Sequence, residues 1–169
     1  LARRLGEAAR AQTKLGAGYD PAYVKLAYPG GDVPISQGVC TDVIIRAYRN
    51  IGIDLQVEVH EDMKTFFSSY PKLWGRRKPD ANIDHRRVPN LMVFLSRHGR
   101  SLPLSTKESD YQPGDIVAWD LGGGVTHIGL LVDRESRDVG RPLVVHIIGR
   151  GPRQEDVLFN WKIIGHFRY

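Results

Sequence analysis

The apolar pattern of this 169-residue chain changes period once, near Tyr111, and that change limits the fold more than any other feature. Before it, apolar residues recur at helical spacing. Val43, Ile44, Ala47, Tyr48 and Ile51 form one stripe, Met63, Phe66, Phe67 and Tyr70 a second, and Leu91, Met92 and Leu95 a third. After it come short runs rich in β-branched and aromatic residues at 116–119, 127–133, 142–148 and 163–168. Gly122, Gly123 and Gly124 join the first two runs as a hairpin-like turn. Helices followed by antiparallel strands predict an α+β fold, with N-terminal helices packed on one sheet. The helices are expected over 1–15, 39–50 and 61–70, and from Pro89 to just before Gly99. Proline suits a first helical turn, where its missing N–H has no partner to lose.

Size and composition fit one domain spanning residues 1–169. Hydrophobic residues make up 41% and charged residues 25%, a globular balance, and no apolar run is long enough to span a membrane. The single cysteine excludes an intramolecular disulfide. The formal charge of +5 favours anionic partners, among them a bacterial cell wall, although the basic residues are dispersed apart from clusters at 76–78 and 86–87. No nucleic-acid recognition motif accompanies them. The chain opens in the manner of a helix interior, Leu1-Ala2-Arg3-Arg4-Leu5, so a missing export signal says little about location.

Cys40 shares the stripe of the 39–50 helix and stands at its first turn. A thiol there meets unpaired backbone N–H groups and the positive end of the helix dipole, which favour the nucleophilic thiolate. A lone cysteine is more often a small buried hydrophobe. Its companions argue otherwise. His127 opens one predicted strand, directly after the glycine turn, and His146 lies in the next. Adjacent antiparallel strands can place the two imidazoles side by side on one face. His146 would then fix the tautomer of His127, as a carboxylate or amide does in other triads. His60, His85, His98 and His166 read as surface or structural residues. No close-spaced ligand pair is present, so neither a metal nor another cofactor is expected; a site of His127, His146 and Asp84 is the weak metal alternative.

The segments Tyr28-Pro29-Gly30-Gly31, Gly38-Val39-Cys40-Thr41-Asp42, Gln112-Pro113-Gly114-Asp115-Ile116-Val117, His127-Ile128-Gly129-Leu130 and His146 together resemble the NlpC-type, papain-like bacterial cell-wall cysteine peptidases. The likeness covers residues 28–48 and 112–148. Gly38–Asp42 and Asn82–Asn90 also resemble a bacterial family of that clan known only as a domain of unknown function. The resemblance implies a papain-like fold and a cysteine hydrolase acting on amide bonds of peptidoglycan stem peptides. It implies Cys40 as nucleophile, His127 as base and His146 as third member, and it places Tyr28 near the oxyanion site. The Asn82–Asn90 segment is expected to line the cleft, with Asp84 and Arg86 engaging charged groups of the peptide, and Asp42 is a further substrate-binding candidate. The chain departs from the peptidase pattern around the nucleophile, where Asp-Cys-Ser-Gly becomes Val39-Cys40-Thr41-Asp42. Asp42 suits the helix start but opposes thiolate formation.

The expectation is a monomeric periplasmic or secreted enzyme that binds peptidoglycan or its fragments, without nucleic acid or a membrane span. A catalytically inactive wall-binding module and a cysteine amidase for a non-wall substrate are the alternatives. Cysteine precedes histidine in the chain, which disfavours the circularly permuted acyl-modifying relatives.

Overall fold

A computed structural model describes residues 1–135 and 140–169. It is mixed α+β, with four α-helices and a six-stranded antiparallel sheet. The helices are α1 (Ala2–Gln12), α2 (Cys40–Asn50), α3 (Leu55–Phe66) and α4 (Val88–His98). A two-stranded parallel sheet pairs β1 (Gly18–Tyr19) with β2 (Gln37–Gly38) just ahead of α2. The main sheet comprises β3 (Arg100–Ser101), β4 (Ile116–Asp120), β5 (Thr126–Glu135), β6 (Pro142–His146), β7 (Arg153–Glu155) and β8 (Lys162–Arg168), in spatial order β3-β8-β4-β5-β6-β7. No helix among the described residues is long and apolar enough to cross a membrane.

The helices form where apolar spacing and caps agree. Val43, Ile44, Ala47 and Tyr48 are fully buried on one side of α2. The third helix begins six residues earlier than its apolar stripe predicts. Asp54 caps it by accepting a hydrogen bond from the Gln56 amide at 3.1 Å, and Leu55, Val59 and Met63 then follow at four-residue steps into the core. α4 starts with Pro89 in its first turn, as expected.

The sheet separates two apolar clusters by pleat alternation. Ile116, Ala118, Ile128, Leu130, Val132 and Val145 face the helices. Val117, Trp119, Leu131 and Val144 face the other way, where Tyr111 and Leu158 cover them. Gly122, Gly123 and Gly124 all have positive φ (106°, 63° and 79°), the conformation that the β4–β5 turn requires and that other residues rarely adopt. Gly129 serves a different purpose. A Cβ there would lie 2.5 Å from Val144 and 3.2 Å from the Cβ of His146, so glycine lets β6 approach β5 beside the histidine.

Candidate functional site

Cys40 is the first residue of α2, and the chain ahead of it is pinned on several sides. Arg46, on the second turn, holds Asp32 and the carbonyls of Val33 and Gln37. Asp42 accepts a hydrogen bond from the Val39 amide at 2.7 Å, half of a capping box whose other half valine cannot supply. The same carboxylate receives two hydrogen bonds from the Arg86 guanidinium, each 2.9 Å, with both side chains about 2% exposed. Thr41 donates its hydroxyl to the Arg86 carbonyl at 3.0 Å. The start of α2 is thus bolted to the 3-10 turn at Asp84–Arg86.

The thiol is 9% exposed and borders a cavity of about 330 Å³. Tyr19, Tyr23, Trp74, Arg87 and Thr126 are among the other lining residues. Burial pushes the Cys40 pKa up to about 12, and the Asp42 charge adds to the rise. Backbone N–H groups of Ile128, Thr41 and Cys40 itself pull the other way without overcoming burial. The expected thiolate is therefore replaced by a neutral thiol. The helix start supplies its donors, but desolvation outweighs them.

The histidines lie on the far side of the same strand ends. His127 and His146 are 3% and 1% exposed, and the rings meet through Nε2 of His127 and Nδ1 of His146 at 2.8 Å. Nε2 of His146 lies 3.0 Å from Oε2 of Glu155 on β7. The bonds fix the tautomers by elimination. A carboxylate only accepts, so Nε2 of His146 carries the hydrogen; its Nδ1 is then a bare lone pair that accepts from Nε2–H of His127. Nδ1 of His127 is left as the basic nitrogen. Burial, followed by the neighbouring His146, lowers the His127 pKa to about 3, so the ring is neutral near pH 7. Burial also lowers the His146 pKa, against the opposing pull of Glu155. Trp119 stacks on His127 with centroids 5.7 Å apart, and Trp161 meets it edge-on at 5.8 Å.

The sequence brought His127 and His146 together correctly, and both occupy the pleat face of Trp119 and Leu131 rather than that of Cys40. Among the described residues no hydrogen bond joins the thiol to His127. Sγ instead meets the backbone N–H of Ile128, the residue that follows His127 in β5. The thiol thus meets the strand one residue after His127, whose imidazole lies on the other face.

The remaining expected contacts are corrected. Tyr28 does not lie near Cys40. Its hydroxyl donates to Glu61 at 2.9 Å and its ring meets His60, because Gly30 and Gly31 anchor this turn to Asp54 and Gln56 at the start of α3. Tyr19 takes the place beside Cys40, since β1 pairs with the strand that leads into α2. Asp42 and Arg86 satisfy each other internally and are not disposed to grip a substrate, although Arg86 forms part of the cavity wall. Asp84 is 2% exposed and accepts from the Asp80 amide, away from both candidate histidines. The Gly114-Asp115 motif is architectural: Asp115 binds Nε2 of His166 at 2.8 Å and both Nε and Nη2 of Arg168, tying β4 to β8. Glu155 was missed because β7 is a short charged edge strand with no apolar alternation. Gly149-Arg150-Gly151-Pro152 was the available clue, marking a turn that sends the chain back along β6.

Residues 6–169 match the family model described as "Domain of unknown function (DUF1287)", and the chain belongs to that family. It is 55% identical over 165 residues to the uncharacterized protein YijF of Escherichia coli (strain K12), covering 98% of this chain and 80% of that protein. No solved structure matches it.

Proposed function

We propose that this member of the DUF1287 family is a papain-like cysteine hydrolase of the periplasm or cell exterior, cleaving amide bonds in peptidoglycan stem peptides. The observation that carries the proposal is the relay His127–His146–Glu155, which leaves a neutral imidazole with a bare Nδ1 one strand residue from a thiol at a cavity. An inert structural cysteine has no need of a base with a fixed tautomer on the strand residue next to its backbone donor.

In the proposed reaction a peptide carbonyl enters the cavity against Cys40. Sγ attacks the carbonyl carbon as its proton is carried around the strand end to Nδ1 of His127, whose imidazolium is stabilised through His146 by Glu155. Burial weakens His127 as a base and Cys40 as an acid, and both shifts oppose proton transfer before substrate binds, so in the proposed reaction the proton moves only as the Sγ–carbon bond forms. Backbone N–H groups at the first turn of α2 and at Ile128 are the donors available to the oxyanion. Collapse expels the amine, which takes the proton from His127 and leaves a thioester. Water then attacks the thioester as His127 accepts its proton, and collapse releases the acid and expels the sulfur, which takes that proton back from His127 to restore the thiol and the neutral base.

The test is release of new amino groups from cell-wall sacculi and from soluble muropeptides, comparing wild type with Cys40→Ala. Cysteine-dependent release is the expected result. Equal release by the two proteins across several wall chemotypes sinks the proposal, and binding without any release favours the wall-binding module.

A further inference from the structure

Two neighbouring arginines at the Cys40 cavity are treated very differently by the fold. Arg86 has its Nε and Nη2 bonded to Asp42 at 2.9 Å. Arg87 is held more loosely: it is ion-paired with Asp84 at 3.9 Å, too long for a hydrogen bond, and its buried Nη1 makes none. A guanidinium carries its charge at all pH values the protein meets, so an unbonded buried N–H on it is costly. A group left so marks stored strain, a functional role, or a place for a water or an ion.

The surroundings match that expectation. The Arg87 guanidinium lies over the Trp74 ring, its central carbon 4.0 Å from the centroid. Both residues line the cavity that holds Cys40. Trp74 has φ of 59°, a left-handed conformation unfavourable for a bulky residue. The strained backbone presents the indole as a platform for the guanidinium, holding the fork flat. Among the described residues no aspartate or glutamate lines this cavity, and Asp42 and Asp84 behind it already face Arg86 and Arg87, so the lining favours an anionic over a cationic substrate group. Burial and the neighbouring Arg76 weigh against the charge on Arg87 while Asp84 and Asp80 support it; the balance is still against the charge, and an anion in the cavity would shift it back.

We infer that Arg87, stacked on Trp74, forms a carboxylate-binding subsite beside Cys40, which selects peptides bearing a free carboxylate close to the scissile amide. A planar carboxylate can accept two parallel N–H bonds from the guanidinium edge, a geometry lysine cannot reproduce. This subsite rests on the hydrolase proposed above and specifies its substrate. The bond cut is one whose flanking residue retains an unmodified carboxyl group, and amidation of that group removes the recognition.

The experiment uses two synthetic peptidoglycan stem tetrapeptides, identical except that one bears free carboxylates and the other carboxamides. Each is titrated calorimetrically into the full chain carrying Cys40→Ala, so that binding is read without turnover. The carboxylate peptide is expected to bind about 10- to 100-fold more tightly. Adding Arg87→Gln should bring the two affinities together, Arg87→Lys should restore only part of the difference, and Trp74→Ala should shrink it. Equal affinity for the two peptides, no binding of either, or full discrimination in a folded Arg87→Gln variant overturns the subsite. Amine release by the protein with native Cys40 separates the two proposals. Cleavage with discrimination untouched by Arg87→Gln removes the subsite and keeps the hydrolase. Arg87-dependent binding without Cys40-dependent cleavage removes the hydrolase and keeps the subsite.

Discussion

The two faces of the sheet handle their buried polar groups in opposite ways. On the helix side, Asp42 and Arg86 form a closed pair of opposite charges with two short hydrogen bonds, and Cys40 rests beside them as a neutral thiol. On the other side, His127, His146 and Glu155 form an open line in which each member passes its hydrogen to the next. A closed pair immobilises; a directed line can carry charge away from one end. In the proposed reaction the contrast separates holding a nucleophile from handling its proton, although the groups involved lie at neighbouring ends of the same elements.

The strongest way to break this comparison is to ask whether the two faces act as one unit. Cys40→Ala and His127→Ala should each cost about 10⁴-fold in kcat on a soluble muropeptide, and the double variant should be no worse than either single one. Fully additive losses would mean that thiol and imidazole work independently. Next comes the closed pair. Arg86→Met leaves the Asp42 carboxylate buried without its partner and should destabilise the protein by about 3–5 kcal/mol in urea unfolding. A change below about 1 kcal/mol would show that water enters and takes over the role of the guanidinium.

Weaker still is the open end of the line. Glu155→Gln retains an acceptor for His146 but loses its charge, so kcat should fall about tenfold with KM unchanged. A loss as large as that of His127→Ala would make Glu155 an equal partner in the chemistry. The smallest signals are those of pH. Labelling of Cys40 by iodoacetamide near pH 7.5 should be slower than that of a free thiol and should still be rising beyond pH 9, because the thiol pKa is about 12. On the acid side, His127 binds its proton more weakly folded than unfolded. Its contribution is in place above the unfolded value of about 6.5 and is lost as pH falls towards about 3. Chemical denaturation should therefore show declining stability from pH 6.5 to 4, with a shallower decline in His127→Asn.

What the sequence revealed follows the range of the interactions involved. The period change near Tyr111 exposed the α+β order, because alternation and helical spacing are local properties. The His127–His146 pair was legible for a similar reason: consecutive strands joined as neighbours bring a predictable pair of faces together. Tyr28 was misplaced because its position depends on where Asp54 and Gln56 of α3 hold the glycine turn, a contact between distant segments. The protonation of Cys40 was misjudged because helix position is local whereas burial is not. Asp42 and Arg86, 44 residues apart, carry no mark in the sequence that distinguishes a buried pair from two solvated charges.

The three tryptophans are divided between these regions in a way that gives the protein its own optical probes. Trp119 and Trp161 flank His127, whereas Trp74 lies under Arg87 at the cavity. An imidazolium accepts an electron from an excited indole and quenches its emission, and a neutral imidazole does so poorly. Proton arrival at His127 is thus coupled to the brightness of the first two indoles, while occupancy of the cavity is coupled to the third. With Trp74 replaced by phenylalanine, the remaining emission reports on the proton alone, and for the proposed reaction a stopped-flow trace can time its arrival against release of the amine.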